Sequence, residues 1–94
     1  VRVEVTQADI DAGRQCDIQR CPVARAIGRT GWAAAVAGAH AMLWRPDATA
    51  QPIHDVWLGD RVAHFIYMFD AFGRPGVTPF EFELAIEDKI RSAA

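Results

Sequence analysis

Long apolar runs are missing from this chain. No stretch approaches 18 residues without a polar break, which excludes a helix of bilayer-spanning length and removes the membrane as a partner. An excess of positive charge is missing too, the formal net charge being −2. Affinity for polyanions depends on neutralising many phosphates with Lys and Arg, so nucleic acid ranks low among the partners to expect. Cysteine is scarce, with only Cys16 and Cys21 present. The first residues, Val1-Arg2-Val3-Glu4-Val5, alternate instead of placing a basic stretch before an apolar one. No secretory signal is visible, and the cytoplasm is the default expectation. Internal repeats, low-complexity tracts and known catalytic or cofactor motifs are also lacking, so no cofactor and no catalytic residue is expected from motif matching.

What is present is ordinary globular composition, 51% apolar and 23% charged, in 94 residues. That length supports one core and not two, and a domain of this size buries only roughly 60–65% of its unfolded surface. A single domain over 1–94 is expected, with a frayed, polar tail at 87–94. The charge is uneven along it. Residues 1–47 carry six Arg against five acids, and residues 48–94 carry four basic residues against seven acids, so any basic patch must come from the first half.

Val1, Val3 and Val5 alternate with Arg2 and Glu4, the period of a strand with one wet face. Thr6 stands three residues before Asp9, and Gly13 offers a stop, which together predict a single helical turn over about 7–12. Pro22 suits a first helical position, and Val23, Ala26 and Ile27 follow at i, i+3 and i+4 with Arg25 and Arg29 opposite, predicting a helix over about 22–29 that ends at Gly28 and Thr30-Gly31.

Trp32–Trp44 is ambiguous, because its alanines favour helix while its large residues obey period 2. Trp32, Val36, His40, Met42 and Trp44 share one parity, which as a strand or bent hairpin gives a bulky face and a nearly bare one. The helical alternative lines up Trp32, Val36, Ala39, His40 and Leu43. Gly38 is a bend in the first reading and a penalty in the second. Arg45-Pro46-Asp47 is turn chemistry, and Pro52 followed by alternating Ile53, Asp55 and Trp57 predicts a short edge strand before Gly59. Asp60 is placed to cap a helix over about 61–72 whose core stripe is Val62, Phe65, Ile66, Phe69 and Phe72. Gly73, Pro75, Gly76 and Pro79 make a tight return. Phe80, Phe82, Leu84 and Ile86 then alternate with polar or small residues, predicting a strand inside the sheet.

Four blocks together, Thr6-x-x-Asp9-Ile10-x-x-Gly13, Cys21-Pro22-Val23-Ala24-x-Ala26-Ile27, Phe65-Ile66-x-x-Phe69-Asp70 and Pro79-Phe80-x-Phe82-Glu83-Leu84, cover roughly half the chain. In order and content they resemble small uncharacterised proteins of bacteria and their phages. The resemblance implies a strand, a short helix beginning at Cys-Pro, a few strands, a helix and a final strand. The chain departs from that pattern in the wider spacing of its two thiols and in a longer return after Asp70, and the resemblance assigns no catalytic residue.

Several constellations are candidates for chemistry. Cys21 at a helix N-cap faces unsatisfied N–H groups with Arg20 and Arg25 close in sequence, conditions that lower a thiol pKa and point to a reactive thiol. A small apolar cap packed under the helix is the structural reading of the same residue. Cys16 would bridge to Cys21 only if the loop between them brought the α-carbons within about 7 Å. Zinc needs about four ligands in close array, and His40, His54 and His64 are scattered, so no metal is expected. Asp60 and His64, four apart on one helix, have acid–base geometry but no nucleophile beside them, and such pairs are ordinary surface contacts. Arg14, Arg20, Arg25 and Arg29 form the one basic cluster, a candidate anion site without interleaved aromatics for stacking bases. Tyr67 and Met68 fall outside the core stripe of the longer helix, where a wide apolar face marks a partner surface.

These observations predict an α+β domain, a small mainly antiparallel sheet with two packed helices. The expected role is a non-catalytic one, docking to a protein partner or to a second copy of the chain. A thiol enzyme or redox sensor using Cys21 and Cys16, and phosphate or nucleic-acid binding through Arg14–Arg29, are the alternatives.

Overall fold

The computed structural model describes residues 1–46 and 53–85. Asp47 and Pro52, the Ile86 end of the last predicted strand and the 87–94 tail lie outside the described residues. Elements run β1 (Arg2–Val5), α1 (Gln7–Ala12), α2 (Pro22–Gly28), β2 (Ala33–Ala37), β3 (His40–Trp44), β4 (His54–Trp57), α3 (Asp60–Phe72), a 3-10 turn (Arg74–Gly76) and β5 (Phe80–Glu83). The chain is α+β with antiparallel pairing throughout.

The strands divide into two sheets, β1–β5 and β2–β3–β4. The sequence reading placed β5 inside one sheet with all the other strands; instead, among the described residues, β5 pairs with β1 alone. Alternation specifies which residues form a strand and which face is apolar, but says nothing about the strand's neighbour. α2 bridges the two sheets. It packs on both β1 and β2, and its buried Ala24 and Ala26 are small enough for both backbones to approach. One apolar cluster results, joining Val3 and Val5 of β1, Val23 and Ile27 of α2, Ala41 and Leu43 of β3, Phe65 and Phe69 of α3, and Leu84. Each large side chain of this kind stabilises the fold by about 1.5–3 kcal/mol when fully buried.

The ambiguous segment is a hairpin. Ala37 pairs with His40 around a two-residue turn, with Gly38 at φ +60°, where type II′ turns place glycine because its backbone tolerates that angle. The turn reverses the faces. Val36 lies opposite Ala41 on the core side, whereas His40, Met42 and Trp44 point to the other side. The shared parity expected for Val36 and these three residues is therefore broken by the hairpin, and it is Ala34, Val36, Ala41 and Leu43 that face the core.

α1 begins with a capping box, Thr6 Oγ1 accepting from the Asp9 N–H at 3.2 Å and Asp9 Oδ2 accepting from the Thr6 N–H at 2.9 Å. The loop between α1 and α2 is stapled to the C-terminal end of α3. Gln15 Nε2 donates to the carbonyls of Phe69 (3.2 Å) and Asp70 (3.1 Å), and the Cys16 N–H donates to Asp70 Oδ1 (2.9 Å). At the other end of α3 the cap position is Gly59, with Asp60 already helical and making no side-chain cap, which corrects the expectation for Asp60. Val62, Phe65, Ile66 and Phe69 are buried as predicted, but Phe72 is 59% exposed. The helix stops at Gly73, so the last predicted core position is its final residue, beside the 3-10 turn.

Candidate functional site

The basic cluster is largely spoken for. Arg29 grips Asp9 with both terminal nitrogens, Nη1 on Oδ1 and Nη2 on Oδ2 at 2.7 Å, and Nη2 also donates to the Glu4 carbonyl at 2.6 Å. Arg25 Nε lies 4.0 Å from the same carboxylate, and Arg20 pairs with Asp17 at 3.6 Å. Asp9 is only 1% exposed. Burial resists its ionisation, but the Arg29 hydrogen bonds, the two from Thr6 and the Arg29 charge together hold its carboxyl below the usual carboxylate range. Arg29 thereby ties β1, α1 and the end of α2 together, while the Arg20–Asp17 pair stays within the loop. Arg14 is exposed in the loop, its N–H donating to the Arg20 carbonyl at 2.9 Å.

Cys21 does cap α2, its Sγ accepting from the Ala24 N–H at 3.4 Å with Pro22 at the first helical position. Its environment is that of the packed apolar cap and not of the activated thiol. Burial pushes the thiol up from its ordinary 9.0, the N–H groups of Ala24 and Val23 pull it down by less, and Asp70 and Asp17 reinforce the rise. Arg20 and Arg25, close in sequence, are turned toward carboxylates and do not offset this. Both thiols are free; Cys16 is exposed, and it lines with Cys21 a small cavity of about 220 Å³ beside Asp17 and Asp70. Among the described residues no three His, Cys, Asp or Glu side chains gather in a way that could hold a metal ion.

The histidines go to separate places. His54 packs edge-on to Trp32 with ring centroids 5.4 Å apart, while the Arg45 guanidinium lies 3.9 Å over the same tryptophan. His40 sits 3.5 Å from Asp55 and 5.1 Å, ring to ring, from Trp57. His64 and Asp60 are both exposed on α3.

The two predicted interface residues lie on different flanks of α3. Tyr67 is 68% exposed and borders a shallow depression with Gly38 and Ala63. Met68 is half-buried and turns into a separate cleft of about 350 Å³ between α3 and the return that leads to β5.

The residues that sequence reasoning missed are on the outer face of the β2–β3–β4 sheet. Strand register brings Ala35 beside Met42 and Asp55, and Ala37 beside His40 and Trp57. Met42 is 45% and Trp57 55% exposed, with half-buried Trp44 paired to Ala33 at one end and exposed Ile53 leading into β4. Two tryptophans, a methionine and three alanines thus share a face that no helix of the chain covers among the described residues. The signal was in the sequence, as the common parity of His40, Met42 and Trp44 and of Ile53, Asp55 and Trp57; which of the two faces would meet the core was not.

The chain has no significant match among protein-family models, curated proteins or solved structures.

Proposed function

We propose that this chain is a non-catalytic interaction domain that docks, through the outer face of the β2–β3–β4 sheet, to another protein or to a second copy of itself. The observation that carries the reading is the exposure of Trp57 and Met42 beside Trp44 and Ile53 on a sheet face completed by Ala33, Ala35 and Ala37 and by the His40–Asp55 pair. Aromatic residues and methionine are enriched at interface centres, and a contiguous apolar patch is unusual on a free surface. His40 and Asp55, 3.5 Å apart on the same face, add a polar pair to the patch.

Sedimentation across a micromolar concentration series tests the self-docking form. A monomer–dimer equilibrium that Trp57→Ser abolishes and Tyr67→Ser leaves intact is the expected result, with Trp57→Ser changing monomer stability by no more than about 0.5 kcal/mol because the side chain is already half in water. A chain that remains monomeric throughout removes self-docking. Association indifferent to Trp57→Ser overturns the sheet face as the contact.

A further inference from the structure

The cleft beside Met68 has a composition unlike any other depression described above. Its floor is aromatic. Phe65 on α3 and Phe80 on β5 meet with centroids 4.7 Å apart, and Phe80 continues to Phe82 at 5.8 Å. Its rim is cationic or titratable, since Arg61 and His64 stand on the same side of α3 as Phe65 and Met68, the positions i, i+3, i+4 and i+7 of one helical stripe. Thr78 adds a hydroxyl from the opposite wall. The Arg61 guanidinium lies 5.4 Å over the Phe80 ring, and among the described residues no carboxylate is within ion-pair distance of it. That distinguishes it from Arg20, Arg25 and Arg29, each of which has its acid. The two acids of β5 are otherwise disposed: Glu81 leans to Arg2 at 3.8 Å on the far face of the strand, and Glu83 meets the N-terminal amine at 3.3 Å.

We propose that this cleft is a binding site for a small aromatic anion, a ring bearing a carboxylate or a phosphate. The ring lies in the space bounded by Phe65, Met68 and Phe80, where face or edge contact with the phenylalanines and sulfur contact with the methionine favour a flat apolar body. The anionic group meets Arg61, whose planar fork accepts either oxyanion in a two-point contact, with His64 and Thr78 as further donors. The volume of about 350 Å³ falls in the range, roughly 300–1,000 Å³, that small ligands occupy. A purely apolar ligand leaves Arg61 without a counter-charge, and a cationic one is repelled, so the site discriminates by charge as well as by shape. This assignment is independent of the sheet face proposed for protein docking, which lies on another part of the molecule.

Amide-resolved NMR titration of the full chain with benzoate and with phenyl phosphate tests it, using benzylamine and inorganic phosphate as controls. Saturable shifts at Phe65, Thr78 and Phe80 with one or both aromatic anions are expected, weakened about tenfold by Arg61→Gln and by less in His64→Gln. Both substitutions are at exposed positions, so the variants keep the fold, which their spectra will report directly. The proposal is overturned if neither aromatic anion binds at millimolar concentration, if Arg61→Gln leaves the affinity unchanged, or if benzylamine or inorganic phosphate binds as well as phenyl phosphate.

Discussion

Arg29 and Arg61 stand at comparable places, each on the exposed edge of a helix, and do opposite things. Arg29 is locked on a buried carboxylate and a strand carbonyl, so its charge is consumed in holding α1, α2 and β1 together. Arg61 has an aromatic ring beneath it and no acid beside it among the described residues. Four arginines close in sequence looked like the basic site of this protein, yet three of them, Arg20, Arg25 and Arg29, each have an acid within 4.0 Å, whereas Arg61, from the acidic half, has none among the described residues. Sequence density of a charge measures how many are made; availability depends on what the fold sets against each one.

The contrast breaks most directly by removing the two guanidinium groups in turn. Arg29→Ala leaves Asp9 buried without its partner and should cost about 3 kcal/mol in urea denaturation, the low end for breaking a buried pair because the guanidinium is itself half in water. Arg61→Ala should cost about 0.5 kcal/mol or less. Equal losses would erase the distinction. Next in size, Gly13→Ala probes how closely α1 and α2 are locked. An added Cβ would sit 2.6 Å from the Pro22 ring and 2.8 Å from the Asp9 carbonyl oxygen, neither of which is a yielding side-chain tip, so a loss of about 1–3 kcal/mol is expected. A neutral or stabilising Gly13→Ala would show that the contact relaxes freely.

Acid sharpens the same comparison without a large mutation. The folded Asp9 carboxyl titrates below its ordinary 3.8, so the unfolded chain binds the proton first as pH falls. The stabilisation is whole above about pH 4 and is lost as the pH drops through the folded value. Urea midpoints followed from about pH 5 to about pH 2 should fall in the native chain, with this component of the slope gone from Arg29→Ala. Arg61→Ala should retain it. The smallest effect is at the alkaline end. Cys21 titrates above its ordinary 9.0, so the unfolded thiol ionises before the folded one and stability declines only beyond about pH 9. Iodoacetamide should label Cys21 slowly at pH 8 while the chain is folded; labelling there as fast as in the urea-unfolded chain would mean the thiol is neither buried nor raised.

Much of the fold was legible because local rules and burial agree. Thr6 and Asp9 signal a capped turn, Pro22 a helix start, Val62 through Phe69 a buried stripe, and Phe80 and Phe82 a strand, and each sits where expected. The failures share a cause. Phe72 keeps the helical period but is exposed, β5 has the alternation but only one neighbour among the described residues, and Val36 has the parity of Met42 but lies across a turn from it. In each case the pattern is periodic along the chain, whereas the answer depends on a second element whose position the pattern does not carry. The candidate sites were less legible still. Cys21 was placed as a cap with two readings open, an activated thiol and a packed apolar cap; the dipole and the arginines are visible in the sequence, but only the fold shows that burial outweighs them.

The amino-acid order alone determined which segments are helix and which are strand, through caps, prolines, glycines and the period of apolar residues, all of which act over a few neighbouring positions. Only the tertiary structure decided that the strands form two sheets with α2 between them, that Arg29 is spent on Asp9 while Arg61 is not, and that tryptophan and methionine cover the outer face of the larger sheet. Those outcomes depend on contacts between residues far apart in the chain, where burial, pairing and charge are properties of the neighbour as much as of the residue itself.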